Sequence, residues 1–290
     1  MAMLSIEPML DADLPLAGQF LHENHDATRS AEDWASLFRY PWERGMPSGK
    51  PNNGFLLRDG GTLAGVVGAI YSEQSIHGVV ERFCNITSWA VLESHRGHST
   101  RLLMACLAQP GYHFTNFSPM PVVENILKFL KFVCLEKSYH VVANLPWPLW
   151  TRYRIATGPA AGELLKGSEL RVLEDHRSIA GLTHLAVANQ GRCCYVALTP
   201  CQVKGFPSAE VLHAGDAALF TEALPAIGAH LLRRGWLTLK VESRFVEGKP
   251  AWSRQRPMDV PKYYRSDRLK PADISTLYSE RVLLLSENRR

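Results

Sequence analysis

The sequence predicts an α/β protein with a mixed, mostly antiparallel sheet flanked by helices and a second, smaller half of related order. Segments that are apolar in the manner of strands are interleaved with segments whose apolar residues have helical spacing. Apolar residues make up 46% of the 290 residues and charged residues 21%, which provides ample material for a core. A similar order of hairpin, helix and strand occurs twice.

The first half begins with a short strand and two helices. Leu4 to Leu10 can form the strand, and the apolar spacing after Asp13 predicts a helix. Ser30, followed three residues later by Asp33, resembles a capping box and predicts the start of a second helix. Pro41 should end that helix, because the residue before a proline disfavours helical geometry.

Three antiparallel strands follow, and then a helix, a strand and a helix. The turn Asp59-Gly60-Gly61-Thr62 predicts a hairpin, since glycine tolerates the positive φ that such turns require. The apolar patterns place the other elements in order: the strands Phe55 to Arg58, Leu63 to Ser72 and Val79 to Leu92, the helix Thr100 to Leu107, the strand Tyr112 to Phe117 and the helix Val122 to Phe132.

A stretch rich in proline and glycine predicts a linker after residue 145, so we divide the chain into residues 1–145 and 146–290. The second half repeats the order of the first in degenerate form. Its predicted elements are the strand Cys193 to Leu198, the turn Gly205 to Pro207, the strand Ala209 to His213, the helix Ala217 to Arg234 and the strand Trp236 to Glu242.

Composition and charge exclude several classes of protein. The net charge of +4, from 32 basic and 28 acidic residues, is too small to predict nucleic-acid binding. No apolar run approaches 18 residues, so we expect no membrane span, and the acidic N-terminus lacks the features of a secretory signal. Six cysteines without a CxxC pair predict reduced thiols and a cytoplasmic protein. The oligomeric state stays open.

Residues 249–270 combine seven basic residues with three aromatic ones. Such a mixture can bind single-stranded nucleic acid, grip an acidic acceptor or form a solvated loop held by its aromatic side chains. We interpret it as the solvated loop.

Two shorter patterns could carry chemistry. Cys193 and Cys194 could supply a thiol nucleophile, but their apolar strand predicts that at least one is buried and inert. His22 and His25 lie three residues apart at a helix end. Because no third ligand accompanies them, we expect surface side chains rather than a zinc site, and no metal elsewhere.

The turn that follows the third strand predicts an anion site. A helix N-terminus has free N–H groups and a positive dipole end, which attract phosphate oxygens. Gly97 lets the backbone approach a ligand closely. The side chains near this terminus are cationic or hydroxylic: His95, Arg96, His98, Ser99, Thr100 and Arg101. A pyrophosphate would suit this site; the alternative is an ordinary helix start with solvated basic side chains.

The stretch from Ser88 to Leu103 resembles the central motif of the GNAT superfamily, the GCN5-related N-acetyltransferases. That motif joins a strand to a helix through Gln or Arg followed by xxGxG or xxGxA. Arg96 takes the Gln/Arg position, whereas Ser99 and Arg101 stand where the family has Gly and Gly or Ala. The order of elements extends the resemblance over residues 1 to about 140.

The resemblance implies an acyltransferase with acetyl-CoA as co-substrate and a small-molecule amine as acceptor, acylated by direct attack. The residues from Arg96 to Arg101 would bind the pyrophosphate. The strand would be splayed from its neighbour, and the backbone of Val91 and Leu92 would bond the pantetheine arm. A non-catalytic GNAT-like protein that binds a ligand or a partner is the alternative.

The resemblance also implies a general base on the same strand. Side chains alternate along a strand, so Glu81, Asn85, Trp89 and Val91 should share one face. Glu81 is the only carboxylate there and is the predicted base, with Asn85 positioning a water molecule. The alternative is that Glu81 is a solvated charge at the strand end.

Two further positions depart from the family pattern. The tyrosine that often serves as general acid falls near Leu127, so Tyr112, Tyr139 or solvent would protonate a departing thiolate. In the second half, Asp216 precedes the helix and would repel phosphate. We therefore expect that half to frame the acceptor cleft and not to hold coenzyme A.

Overall fold

The computed structural model describes residues 4–147 and 152–286, which belong to two compact units. The first unit contains Met1–Val133, Tyr263–Leu269 and Tyr278–Arg290, and the second contains Cys134–Lys262 and Lys270–Leu277. Each unit is discontinuous in sequence, and the chain first passes to the second unit earlier than residue 145.

The N-terminal part of the first unit has the predicted order of elements. Its strands and helices are β1 (Leu4–Pro8), α1 (Leu14–Asn24), α2 (Ala31–Ser36), β2 (Gly54–Asp59), β3 (Thr62–Ile76), β4 (Val79–Val91), α3 (Ser99–Leu107), β5 (His113–Asn116) and α4 (Pro121–Phe129). The strands pair in the order β1, β2, β3, β4, β5. The pairs are antiparallel except that β5 runs parallel to β4.

Local chemistry explains the starts and turns that the sequence predicts. The Ser30 hydroxyl accepts a hydrogen bond from the backbone N–H of Asp33 (3.1 Å), and the Asp33 carboxylate accepts one from the backbone N–H of Ser30 (3.3 Å). This reciprocal capping box starts α2. In the β2–β3 hairpin, Gly60 and Gly61 have φ values of 56° and 88°, which glycine adopts without steric penalty.

Helices cover both faces of the first unit's sheet. Phe38, just after α2, packs directly on Gly68 of β3. A Cβ atom added to Gly68 would lie 2.7 Å from the Phe38 ring. On the opposite face, Leu102 of α3 packs beside Gly65. Glycines on β3 therefore let both helical layers approach the sheet closely.

The second unit holds a larger number of strands. Its elements are β6 (Val133–Ala143), β7 (Arg154–Thr157), α5 (Ala161–Leu164), α6 (Gly167–His176), β8 (Thr183–Asn189), β9 (Arg192–Val203), β10 (Phe206–Ala214), α7 (Ala217–Leu232), β11 (Thr238–Glu242) and β12 (Ser253–Arg265). Its strands follow the order β12, β6, β11, β10, β9, β8, β7. A core of buried apolar residues packs α7 against this sheet.

The two units repeat one arrangement of elements. In each, three successive antiparallel strands lead into a helix and then into a strand that runs parallel to the third. The strand before the helix carries a β-bulge in both units, at Ser88 and Trp89 of β4 and at Leu212 of β10. The internal repeat predicted from element order is thus present in the fold.

The interpretation of residues 249–270 as a solvated loop is wrong. Residues Ser253–Arg265 form β12, and its last three residues, which belong to the first unit, pair there with β5. Lys262 is fully buried, and Tyr263 and Tyr264 are nearly so. Pairing with strands that are distant in sequence gives this segment its structure, so its own charge and proline content did not reveal it.

A short helix, α8 (Glu280–Leu283), follows in the first unit. The stretch from Leu277 to Leu285 is too apolar to stay in solvent, so the sequence predicts that it docks as an edge strand. Tyr278 and Val282 are buried, so the stretch docks, but it does so as a helical turn. Among the described residues, no helix combines the length and the apolar character that crossing a membrane requires.

A buried ionic cluster ties three segments of the second unit together. Glu242 at the end of β11 accepts hydrogen bonds from the Lys262 ammonium and from Arg244 Nε (2.7 Å). Arg244 also donates to the carbonyl oxygen of Ile274 (2.5 Å). Burial disfavours the charged carboxylate, but the two cations prevail and lower the pKa of Glu242 to about 2.

We predict that Glu242→Gln destabilises the protein by about 3–5 kcal/mol at pH 7, because it leaves Lys262 charged and buried without its carboxylate. Denaturant unfolding measures this change. Glu222→Gln is the control, since Glu222 pairs with Arg192 on the surface and such pairs contribute about 0–1 kcal/mol. Equal effects of the two substitutions would contradict the prediction.

The same cluster predicts a pH dependence. The pKa of Glu242 is about 2 in the folded protein and about 4.3 in an unfolded chain, so its stabilisation is present above about pH 4.3. It is lost as the pH falls through about 2. Thermal melts between pH 7 and pH 2 should show this acid-sensitive component in the wild type and not in Glu242→Gln.

Candidate functional site

The two parallel strands of the first unit separate part-way along β4. Their pairing joins Phe83, Cys84 and Asn85 of β4 to His113–Thr115 of β5. Beyond Asn85, β4 continues to Val91, whereas β5 ends at Asn116. The stretch of β4 after Asn85 therefore has an edge that β5 does not cover.

A β-bulge re-aims the side chains of this open stretch. Thr87 faces Gly68 and Ala90 faces Val66 on β3, so Ser88 and Trp89 together lie opposite a single residue. Ser88 adopts a φ of 48°, a left-handed conformation that costs a residue with a side chain about 1–3 kcal/mol. Such strained bulges occur next to functional sites.

The bulge corrects one prediction. Glu81 and Asn85 share a face of β4, but Trp89 and Val91 lie on the other face, because the extra residue reverses the alternation after Thr87. The predicted single face from Glu81 to Val91 does not exist.

Val91 and Leu92 differ in what their backbone can do. The N–H of Leu92 donates to the carbonyl oxygen of Ala64 on β3 (2.9 Å). Backbone groups of successive strand residues point to opposite sides, so those of Val91 point away from β3, toward the uncovered edge. Val91 is thus available to an added strand-like ligand, whereas the amide of Leu92 is already bonded.

A short 3-10 helix, Glu93–His98, joins β4 to α3. His95 fastens this turn to the sheet, since its Nε2 lies 3.1 Å from Asp59 Oδ2 and its Nδ1 lies 2.8 Å from Ser94 Oγ. Arg96 is exposed and forms a weak surface pair with Glu93 (3.5 Å). This segment is therefore fastened to the sheet through His95 and carries an exposed cationic side chain, Arg96.

The start of α3 is open to a ligand. A Cβ atom at Gly97 would meet nothing within 4 Å. Thr100 and Arg101 are exposed, so Arg101 does not fill the turn as a buried side chain. Ser99 is half-buried, and His98 precedes it as the N-cap residue without a side-chain capping bond.

A cavity of about 100 Å³ lies where β4 and β5 separate. The bulge, the end of β5 and the start of α4 form part of its wall, and the α1–α2 connection and the C-terminal segment complete it. The lining residues are His25, Trp34, Thr87, Ser88, Trp89, Asn116, Ser118, Pro119, Met120, Val123, Glu280 and Leu284.

Buried polar atoms around the gap have unused hydrogen-bonding capacity. Two such atoms, Trp89 Nε1 and Asn116 Oδ1, belong to residues that line the cavity, and neither has a hydrogen-bond partner among the described residues. His98 Nδ1, at the start of α3, is also buried without a partner there. A buried polar atom that stays unsatisfied costs about 1–3 kcal/mol. An amide group, which carries both a donor and an acceptor, could satisfy Trp89 Nε1 and Asn116 Oδ1.

Glu81 and Asn85 do not line this cavity. Glu81 is 4% exposed, and its Oε2 lies 3.1 Å from His113 Nε2 and accepts a hydrogen bond from Arg268. Asn85 donates from Nδ2 to Thr115 Oγ1 (3.1 Å). Glu81 is therefore not a solvated strand-end charge, because its buried carboxylate is held by Arg268 and His113 at the covered part of β4.

Sequence reasoning missed Glu280 as a residue of this site. Glu280 is 3% exposed, and Ser118 donates a hydrogen bond to its Oε1 (2.5 Å). It is the only carboxylate among the lining residues. Its position depends on the docking of α8, a contact between distant parts of the sequence for which no local pattern gives a signal.

The corresponding place in the second unit is closed. Asp216 caps α7 with its own carboxylate, accepting a hydrogen bond from the N–H of Leu219 (2.8 Å) while pairing with Arg192 (2.8 Å). Beside the bulge of β10, Thr276 donates to the carbonyl oxygen of Leu212 (2.7 Å). The protein's own chain thus satisfies groups that an added ligand would otherwise use.

The strand that carries Cys193 and Cys194 buries one of the two thiols. Cys194 is fully buried, and burial raises the pKa of its thiol to about 12, which removes it as a nucleophile at neutral pH. In the described parts of the chain, no group of three or more His, Cys, Asp or Glu side chains could hold a metal ion.

Comparisons with known proteins agree with this architecture. No family model and no curated protein sequence matches the chain. Among solved structures, a GCN5-related N-acetyltransferase from Anabaena variabilis is 9% identical, with a TM-score of 0.60 over 90% of this chain and 72% of that one.

Two more structures show the same likeness. A GCN5-related N-acetyltransferase from Kribbella flavida is 13% identical, with a TM-score of 0.54 over 91% of this chain and 70% of that one. Eis1 from Mycobacterium abscessus is also 13% identical, with a TM-score of 0.52 over 91% and 73%. The mixed sheet, the separated strands and these likenesses together establish that the chain has the fold of the GCN5-related N-acetyltransferases.

Proposed function

We propose that this protein is an acyl-CoA-dependent acyltransferase that moves an acetyl group from acetyl-CoA to a small-molecule primary amine. The observation that carries the proposal is the uncovered edge of β4 at its bulge, which adjoins both a cavity and the open start of α3. The cavity would receive the thioester, the uncovered edge would receive the amide-bearing arm, and the start of α3 would receive the pyrophosphate.

Different residues of the first unit would bind different parts of acetyl-CoA. Backbone groups of Val91 on the uncovered edge would bond the arm as an added strand does, and nearby amides would polarise the thioester carbonyl. The N–H groups at the start of α3 would bind the pyrophosphate, with Arg96 and Arg101 adding charge. Gly97 leaves room for the phosphates to approach the backbone.

A non-catalytic, ligand-binding protein of the same fold is the second candidate. Leu127 favours this second candidate. It is fully buried and stands near the position where the family motif suggests a tyrosine that acts as general acid. Tyr112 does not line the cavity and instead packs against Tyr71 and under Arg82. If the protein is an enzyme, we propose that solvent protonates the departing thiolate.

We predict that acetyl-CoA binds the wild-type protein in equilibrium dialysis or calorimetry and raises its Tm, since a ligand that binds only the folded state stabilises it. Arg96→Ala should weaken binding about threefold to tenfold, through loss of one phosphate contact. Absence of binding at millimolar acetyl-CoA to folded protein would remove the proposal.

Arg39→Ala is the matched control for this measurement. Arg39 is also an exposed arginine of the first unit, and it also pairs with one carboxylate, that of Glu32, at 3.5 Å. It does not belong to the turn or to the cavity lining. Its replacement should leave acetyl-CoA affinity unchanged, and an equal loss in both variants would indicate a non-specific effect of charge.

We further predict that primary amines release free thiol from acetyl-CoA in the presence of the protein and that tertiary amines do not. A tertiary amine cannot lose a proton to form a neutral amide, so it cannot complete the transfer. Thiol release with an Ellman-type reagent measures the rate. Binding of acetyl-CoA without thiol release across a broad panel of primary amines would favour the second candidate.

A further inference from the structure

The cavity beside Trp89 is lined by two titratable side chains, those of His25 and Glu280. Neither takes part in the binding steps described above. His25 ends α1, and Glu280 begins α8. Glu280 is buried, whereas the side chain of His25 is exposed although it lines the cavity, which places it at the opening. The ring of His25 lies 5.3 Å from that of Trp34.

Acylation of an amine needs both a site for a cation and a proton acceptor. A primary amine is protonated at neutral pH and must lose a proton before its nitrogen can attack a carbonyl carbon. A buried carboxylate attracts the ammonium form, and a neutral imidazole that is open to solvent can take the proton and pass it on. The cavity provides one group of each kind.

We infer that Glu280 holds the ammonium group of the acceptor and that His25 accepts its proton, an inference that rests on the proposed function. One N–H bond breaks, and its proton passes to the imidazole. The nitrogen lone pair forms the C–N bond, the C–S bond breaks, and its electron pair leaves on sulfur. The second N–H proton reaches the thiolate through solvent, and the imidazolium releases its proton to solvent.

The charges around His25 are compatible with this role. Desolvation by the surrounding protein lowers the pKa of His25, while the neighbouring Asp26 carboxylate acts in the opposite direction. Arg29 lies over the Trp34 ring at 5.8 Å, and Glu280 faces the cavity from α8. A lowered pKa favours the neutral imidazole, which is the form that can accept a proton.

Glu81 is the competing base. Its Oε2 accepts a hydrogen bond from Arg268 and lies beside His113, so a proton would have to displace a guanidinium contact to reach it. It also does not line the cavity that the bulge adjoins. Geometry favours His25 over Glu81 for contact with an amine at Trp89.

The test measures kcat against pH for wild type, His25→Gln, Glu280→Gln and Glu81→Gln, with acetyl-CoA and a primary alkylamine. His25→Gln should lower kcat about 100-fold to 1,000-fold, remove the rise of kcat with pH below pH 6.5 and leave acetyl-CoA affinity unchanged. Glu280→Gln should raise the KM for the amine about tenfold or more, through loss of its charge partner.

His22→Gln is the matched control. His22 lies on the same helix three residues earlier, contacts the carbonyl oxygen of Arg29 through Nδ1 (2.7 Å) and does not line the cavity. The kcat of the His22→Gln variant should stay within about twofold of the wild-type kcat. Thermal melts establish that each variant is folded.

Three outcomes would overturn the inference. The first is a His25→Gln variant with the kcat and the pH profile of the wild type. The second is that Glu81→Gln, and no other variant, removes the rise of kcat with pH below pH 6.5. The third is a wild-type protein whose kcat does not rise with pH below pH 6.5, an outcome that can be measured even if His25→Gln fails to fold. A wild-type protein that fails to bind acetyl-CoA would instead overturn the proposed function itself.

Discussion

The separation of β4 from β5 is the constraint on which the rest of the site depends. A sheet normally satisfies the backbone groups of an interior strand on both sides, and here the pairing stops after Asn85 and Thr115. At the bulge, Ser88 and Trp89 lie opposite a single residue of β3, and Trp89 lines the cavity between the separated strands. Beyond the bulge, β4 stays bonded to β3 through the N–H of Leu92. The cavity and the open helix start both follow from this one departure from regular pairing.

The two units show how few residues distinguish an open site from a closed one. Both have a bulged strand that leads into a helix and a parallel strand beyond it. In the first unit the helix start presents Gly97 and exposed cations, whereas in the second Asp216 occupies the equivalent N-terminus with its own carboxylate. The difference supports assigning an anionic ligand to the first unit and leaving the second to another role.

Local signals in the sequence were sufficient for much of the fold. The capping box at Ser30, the glycines of the β2–β3 hairpin and the long apolar β4 all act over a few residues and were predictable. Long-range pairing was not: β12 carries charges and prolines that resemble a loop, and only its partners make it a strand. The candidate site was the part that the sequence predicted least well. One bulge places Trp89 on another face of β4, and the docking of α8 adds Glu280 to the cavity wall.

The cavity is walled by residues from opposite ends of the described chain, His25 near the beginning and Glu280 near the close. During synthesis the ribosome delivers these two groups on the order of ten to fifty seconds apart, at roughly 5–20 residues per second. The first unit cannot acquire its full pocket while it emerges, and a nascent chain holds a scaffold without its buried carboxylate. The complete cavity can therefore form only after residue 280 has left the ribosome.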